Sequence, residues 1–184
     1  MSEKYKIVDS EKPHFVTFTI VQWVDLFTRN EYRQVVIDSL KYCQSHKGLI
    51  IYAWCIMTNH LHMIIASREG NNLQDTIRDF RGYTSKCLRK EIEGNRLESR
   101  KEWISNIFKN EGSKRKANKN FQLWKRNYHP IELGCDKLFN QKIDYIHQNP
   151  VKAGFVYQPE HYVYSSALDY SGCKGLLDVD IEWP

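Results

Sequence analysis

The spacing of apolar and polar residues along the chain predicts a mixed order of strands and helices. Residues 14–23 and 49–57 are dominated by β-branched, aromatic and other apolar side chains, which is typical of strands. A polar break separates the second of these from another strand over 60–66, and the pair predicts a hairpin. Apolar residues at helical spacing predict helices over 30–46, 73–90 and 136–148, with Pro150 ending the last one.

The order of these elements predicts the fold class. Strands joined by a hairpin and flanked by helices favour an α+β fold, in which helices pack on an antiparallel β-sheet. Among such folds the ferredoxin-like arrangement fits the order best. Residues 121–133 are expected to add a short strand or hairpin. We interpret residues 1–184 as one domain that ends in a tail over 151–184.

The segment 91–120 interrupts this pattern. It is highly charged and has no clear period beyond a short helix predicted near Trp103 to Phe108. Its composition predicts a mobile or extended insertion, with disorder over 114–119.

Composition excludes several classes of protein. With 41% apolar and 27% charged residues, the chain is not wholly disordered. The longest apolar run, Leu49 to Met57, is far shorter than the roughly 20 residues that span a bilayer, so no membrane association is expected. Residues 1–12 lack the apolar stretch of a secretory signal, and the five cysteines form no CxxC pair. These features favour a cytoplasmic protein.

The net charge of +5 hides a strong asymmetry. Between Arg78 and Arg126 there are 15 Lys plus Arg and 6 Asp plus Glu, a net of +9, so the rest of the chain carries −4. A solvated helical face is one reading of such a run. Binding to a polyanion is favoured, because it relieves the repulsion among these charges. Aromatic residues interleaved with the charges could stack on unpaired bases: Trp103, Phe108, Phe121 and Trp124.

The triplet His60-Leu61-His62 is a candidate metal site. Residues i and i+2 of a strand point to the same face, so the two imidazoles are expected to lie side by side, with Leu61 on the opposite face. Two neighbouring imidazoles can hold one divalent ion. A pair of surface or hydrogen-bonded histidines is the alternative. The position of the pair directly after a buried strand raises the metal site to an equal footing with this alternative.

The predicted helix over 136–148 carries a second candidate. Phe139, Ile143 and Ile146 have the spacing of a core-facing stripe, which places Tyr145 and Asn149 one turn apart on an adjoining, more polar face. A tyrosine there can present its phenol to a site, and an asparagine can offer its carbonyl oxygen to a metal. A packing tyrosine and a helix-end asparagine are the alternatives. The sequence has no GxGxxG, P-loop, HExxH or GxSxG motif.

Three blocks of residues together resemble a known family. They are Trp54 with Met57-Thr58-Asn59-His60-Leu61-His62, Leu123-Trp124-Lys125 with His129, and Tyr145-Ile146-His147-Gln148-Asn149-Pro150-Val151-Lys152-Ala153-Gly154. The set resembles the single-tyrosine HUH transposases, in which HUH denotes two histidines around a bulky apolar residue. Within them it is most similar to the REP-associated tyrosine transposases of the insertion-sequence-200-like branch. Thr58 departs from the proline that is usual in such proteins.

The resemblance implies a metal-dependent single-stranded DNA endonuclease and strand transferase. It would act through a 5′-phosphotyrosine intermediate on hairpin-containing DNA, as a monomer or a homodimer. Tyr145 would be the nucleophile. His60 and His62 would hold Mg²⁺ or Mn²⁺, and Asn149 could supply a third ligand.

Candidate contacts with single-stranded or hairpin DNA come from the basic stretch and the motif blocks. They are Arg78, Arg81, Lys86, Arg89, Trp124, Lys125, Arg126, His129 and Lys152. The main alternative is a DNA- or RNA-hairpin-binding module whose nuclease site no longer works. A metal-dependent hydrolase of small phosphoesters is a third hypothesis, but it leaves the basic segment and Tyr145 unexplained.

Overall fold

A four-stranded antiparallel sheet lies at the centre of the protein. The computed structural model describes residues 6–114 and 121–182. In this part of the chain the sheet has the order β2-β3-β1-β4, and each neighbouring pair is antiparallel. This order, with helices packed on the sheet, confirms the α+β, ferredoxin-like fold predicted from the sequence. The strands are β1 (His14–Thr19), β2 (Leu49–Ile56), β3 (His60–Ser67) and β4 (Ile131–Glu132).

Helices cover both faces of the sheet. They are α1 (Asn30–His46), α2 (Leu73–Gly94), α3 (Lys101–Ser113), α4 (Asp136–Lys152) and the short α5 (Ala167–Tyr170). Leu61, Met63 and Ile65 of β3 belong to the core formed with α1, α2 and α3. Ile64 and Ala66 of the same strand belong to the core formed with α4. No helix in the described part of the chain is long and apolar enough to cross a membrane.

Three predicted boundaries differ clearly from the structure. The helix predicted over 73–90 continues to Gly94. The strand predicted to reach Trp23 stops at Thr19, and a 3₁₀ turn follows over Val21–Trp23. The prediction that Pro150 ends the last long helix is wrong, since α4 includes Pro150 in its final turn. Proline there removes only one backbone donor, and the main chain closes by a 2.9 Å bond from the Phe155 N–H to the Pro150 carbonyl.

The segment after α2 packs on the core over its described part. α3 is longer than the predicted short helix, and its Ile104 and Phe108 are fully buried. The buried carboxylate of Glu98 accepts hydrogen bonds from Arg29 Nε at 2.9 Å and Arg100 Nε at 3.0 Å. These bonds tie the connection between α2 and α3 to the start of α1. The disorder predicted for 114–119 falls almost wholly outside the described residues.

The tail beyond α4 runs along the outer edge of β2. The Ile56 N–H donates to the Tyr164 carbonyl at 2.9 Å, and the Ser166 N–H donates to the Trp54 carbonyl at 3.0 Å. The Ser166 hydroxyl is also 2.8 Å from Nε2 of His147 on α4. The tail is therefore held to both β2 and α4.

Candidate active site and nucleic-acid interface

The strand β3 brings His60 and His62 together on the sheet face that α4 covers. Their ring centroids are 4.5 Å apart, and His62 is buried. Leu61 between them belongs to the core on the other face. The two-residue period of a strand thus produces the side-by-side imidazoles expected from the sequence.

Oxygen atoms hold the Nδ1 atoms of both rings. His62 Nδ1 lies 2.8 Å from the Thr17 hydroxyl, and His60 Nδ1 lies 2.7 Å from Oδ1 of Asn59. The Asn59 amide is oriented by its own 2.9 Å bond from Nδ2 to Asp25. Because Asn59 Oδ1 can only accept, His60 Nδ1 carries the proton and Nε2 keeps its lone pair. This is how proteins orient histidines that bind metals.

Both imidazoles favour the neutral form. Burial lowers the pKa of His60. Burial, with the positive charges of His60 and Lys142 as smaller causes, lowers the pKa of His62 to about 3. Neutral imidazole is the form that binds metal ions.

Tyr145 on α4 faces this pair. Its ring centroid is 5.1 Å from that of His62, yet 42% of the residue is exposed. Asn149, one turn later, donates from Nδ2 to the Tyr145 carbonyl at 2.7 Å. The amide nitrogen is therefore engaged, and the amide oxygen is the atom that could bind a metal. A reactive phosphate could reach the exposed phenol from solvent.

The donor set fits a divalent ion that is bound together with its substrate. Among the described residues, no group of three or more His, Cys, Asp or Glu side chains could hold a metal. His60 Nε2 and His62 Nε2 are the two donors that the sheet brings side by side for such an ion. Imidazole suits zinc, copper, iron and nickel, whereas oxygen ligands suit magnesium and manganese, so the histidine pair alone does not select one metal.

Lys142 is a residue of this site that the sequence motifs did not single out. Its Nζ lies 4.6 Å from the ring centroid of Phe15 and 5.5 Å from that of Tyr145. It stands three residues before Tyr145, so the two share a helix face. The three-residue spacing between Lys142 and Tyr145 in the sequence could therefore have identified Lys142 as a site residue. The cation places a positive charge directly beside the candidate nucleophile.

A basic groove lies along α2 and the segment 121–128, on the side of the sheet opposite to α4. It has a volume of about 580 Å³ and contains most of the predicted DNA contacts. These are Arg78, Arg81, Lys86, Arg89, Trp124 and Arg126. Lys125, His129 and Lys152 do not line it.

Several of the predicted contacts have structural partners. Arg81 donates to the carbonyls of Lys125 and Arg126, so it braces the segment beside α2. Arg78 pairs with Asp75 and Asp79. Arg89 pairs with Glu93 at 2.8 Å. Within the described residues, Lys86 and Arg126 are exposed and have no ion-pair partner there, which leaves them best suited to contact phosphate.

The expected stacking of bases on Trp124 and Phe108 is not supported by their positions. Both side chains are buried. Trp124 packs among core aromatic rings, and its Nε1 donates to the Thr84 hydroxyl at 3.0 Å. Lys125, the next residue, is half-buried, and Arg126 is exposed. Trp103 remains exposed at 54%.

The fold and the histidine–tyrosine site agree with the class of protein that the sequence resembles, the transposases. The model of the family "Transposase IS200 like" matches residues 8–109, more than half of the 184 residues, so the chain belongs to this family. No curated protein sequence matches the chain at a significant level.

Two solved structures are similar to this one. A REP-associated tyrosine transposase bound to a REP hairpin is 19% identical, with a TM-score of 0.63, over 100% of this chain and 94% of that chain. At this identity the similarity shows the fold alone. A protein described as a candidate transposase, from Deinococcus radiodurans R1, is 15% identical over 79% of this chain and 95% of that chain, with a TM-score of 0.44.

Proposed function

We propose that this protein cleaves and rejoins single-stranded DNA beside hairpins, in a metal-dependent reaction with Tyr145 as nucleophile. The observation that carries the proposal is an exposed phenol whose ring lies 5.1 Å from His62, within a chain of the IS200-like transposase family. A tyrosine beside two neutral, oriented imidazoles has the parts that phosphoryl transfer needs.

The proposed reaction exchanges one phosphate ester for another. The phenolic oxygen of Tyr145 attacks the scissile phosphorus, and the bond from phosphorus to the 3′-oxygen breaks. The phenolic proton passes to solvent, and the departing 3′-oxygen takes up a proton. The 5′-phosphate stays on Tyr145 until a 3′-hydroxyl reverses the attack, so strands can be rejoined without a separate energy source.

The other site residues would bind and orient the phosphate. His60 and His62 would hold the divalent ion through Nε2, with the Asn149 amide oxygen as a third ligand from α4. When bound, the ion supplies positive charge that withdraws electron density from the phosphate oxygens. The Lys142 ammonium beside Tyr145 would favour the developing phenolate and attract the phosphate.

The basic groove is the proposed site for the hairpin. Exposed Lys86 and Arg126 present cations there, and the similar REP-associated transposase was solved with a REP hairpin bound. Phosphate contacts fix position without reading bases, so such a groove suits a stem. A nuclease-inactive hairpin-binding module is the second candidate. It is disfavoured because both histidines and the tyrosine are present and adjacent.

A covalent adduct assay tests the proposal. Labelled hairpins with unpaired flanks, taken from the DNA around the gene, are incubated with Mn²⁺ and resolved on a denaturing gel. We expect an adduct with the wild type and none with Tyr145→Phe. Tyr157→Phe is the matched control, since Tyr157 is 93% exposed and is not part of the site.

An adduct that still forms with Tyr145→Phe would show that another residue is the nucleophile. Salt-sensitive binding of the hairpin without any adduct would favour the binding module instead.

A further inference from the structure

Trp23 is an exposed aromatic residue beside the histidine pair. Its side chain is 57% exposed, and its ring centroid is 6.2 Å from that of His60. It has no part in the proposed phosphoryl transfer. A single exposed tryptophan is common on protein surfaces. The backbone that carries this one is unusual.

The turn that presents Trp23 is in a conformation that most residues avoid. Gln22 and Trp23 have φ values of 53° and 55°, so two successive residues other than glycine lie in the left-handed region. Such residues persist only where their surroundings fix them, and they cluster at functional sites. The strain here orients a large apolar ring towards solvent rather than into the core.

Hydrogen bonds from three directions fix the turn. The Val21 N–H donates to the Leu123 carbonyl at 2.9 Å, and Gln22 Nε2 donates to Glu111 of α3 at 2.6 Å. Asn59 Nδ2 lies 3.4 Å from the Trp23 carbonyl, and the same Asn59 holds His60. The position of the indole is therefore set relative to the histidine pair.

A cation completes the surface. Lys125 Nζ lies 3.9 Å from the centroid of the Trp23 ring, and the Lys125 backbone N–H is anchored on the Thr19 carbonyl at 2.7 Å. The ammonium lies over one face of the indole, so an unpaired base would stack on the opposite face while the cation neutralises a phosphate of the same strand.

We propose that Trp23 and Lys125 form a stacking site for one unpaired nucleobase next to the scissile phosphate. The inference rests on the proposed cleavage of single-stranded DNA by Tyr145, and it names the residue that would hold the strand beside His60. Stacking is tolerant of base identity, so the site would recognise an unpaired strand rather than a sequence.

Binding measurements test the stacking site without cleavage. All proteins carry Tyr145→Phe, and two fluorescent probes are compared: a DNA hairpin with a blunt stem, and the same hairpin with a short unpaired thymidine extension containing 2-aminopurine. We expect Trp23→Ala to weaken binding of the extended hairpin roughly tenfold or more, as for loss of one stacked base, and to leave the blunt hairpin nearly unchanged. Trp23→Phe should keep most of the affinity.

A matched variant and a second readout separate stacking from general damage. Tyr157→Ala removes an exposed aromatic ring that is not part of the site and should not discriminate between the two probes. Fluorescence of 2-aminopurine should be quenched on binding and recover in Trp23→Ala. Equal losses of affinity for the two hairpin probes in Trp23→Ala, or 2-aminopurine quenching that persists in that variant, would overturn the proposal. The adduct assay on proteins with Tyr145 intact is scored separately, so failure of the nuclease and failure of the stacking site are distinguishable.

Discussion

At the scale of single residues, hydrogen bonds to Nδ1 decide what each imidazole can offer. Thr17 lies directly opposite His62 in the ladder between β1 and β3, and its hydroxyl is 2.8 Å from the ring. This hydrogen bond fixes the orientation of the His62 ring and leaves Nε2 as the nitrogen available to a metal. Partners of this kind are worth roughly tenfold or more in metal affinity at known sites.

Thr17→Val is therefore expected to weaken Mn²⁺ binding about tenfold with little effect on folding, because valine keeps the shape of threonine but lacks the hydroxyl. Isothermal titration calorimetry measures the affinity, and thermal denaturation checks the fold.

The control for that experiment is Thr19→Val. Thr19 lies on the same strand, opposite His60, and makes no side-chain hydrogen bond with a described histidine. Equal Mn²⁺ affinity in the two variants would show that the Thr17 hydroxyl does not position His62.

Lys142→Gln should slow formation of the covalent adduct about tenfold or more, because the variant removes the cation whose Nζ lies 5.5 Å from the Tyr145 ring centroid. Single-turnover rates at saturating oligonucleotide measure this step. Lys137→Gln, on the same helix, is the matched control. A rate unchanged from the wild type would remove Lys142 from the proposed chemistry.

At the scale of elements, the sequence predicted those parts of the site that depend on local periodicity. The two-residue period of β3 placed His60 and His62 on one face, and the 3.6-residue period of α4 placed Tyr145 beside a buried stripe. These patterns depend on geometry within one element. They need no knowledge of what packs against it.

Features that depend on contacts between elements were not predicted. Thr17 reaches His62 through the register of two strands, and no local pattern specifies that register. Trp124 looked like a base-stacking residue because it sits among cations, yet it is buried where its segment meets α2. α3 looked like part of a charged insertion, although Ile104 and Phe108 give it a buried face.

The buried ion pairs of Glu98 predict a stability change with pH. The hydrogen bond from Arg100 is the main cause that lowers the Glu98 pKa from 4.5 to about 2. A lowered carboxyl pKa stabilises the folded state above about pH 4.5, and this stabilisation is lost as the pH falls towards 2. We expect Glu98→Gln to lower the free energy of unfolding by roughly 2–4 kcal/mol at neutral pH.

Urea denaturation at neutral pH and near pH 3 tests this expectation. The difference between wild type and Glu98→Gln should shrink at the lower pH. Glu69→Gln, which changes an exposed carboxylate, should behave as wild type at both. A constant difference would mean that Glu98 acts through packing rather than charge.

At the scale of the whole molecule, the basic groove and the histidine–tyrosine site lie on opposite faces of the sheet. Binding of a stem and cleavage of an unpaired strand should therefore be separable by mutation. The double variant Lys86→Gln, Arg126→Gln should weaken hairpin binding. It should also lower the steepness with which the logarithm of the binding constant falls with the logarithm of salt concentration by about two, because each substitution removes one cation that neutralises a phosphate.

Affinities measured across a range of salt concentrations give this slope. Arg78→Gln is the control, because Asp75 and Asp79 already pair with that guanidinium. The double variant should still form the adduct with an unpaired oligonucleotide that lacks a stem. An unchanged slope would place the hairpin on another surface.

The tail on the outer edge of β2 affects how copies of this protein can meet. An uncovered edge strand presents free amides and carbonyls to any other strand, and it invites one sheet to continue into the next. Here Tyr164, Ser166 and Asp180 already hydrogen-bond to that edge. Self-association by sheet extension across β2 is thereby blocked, and a partner subunit would have to dock on another part of the molecule.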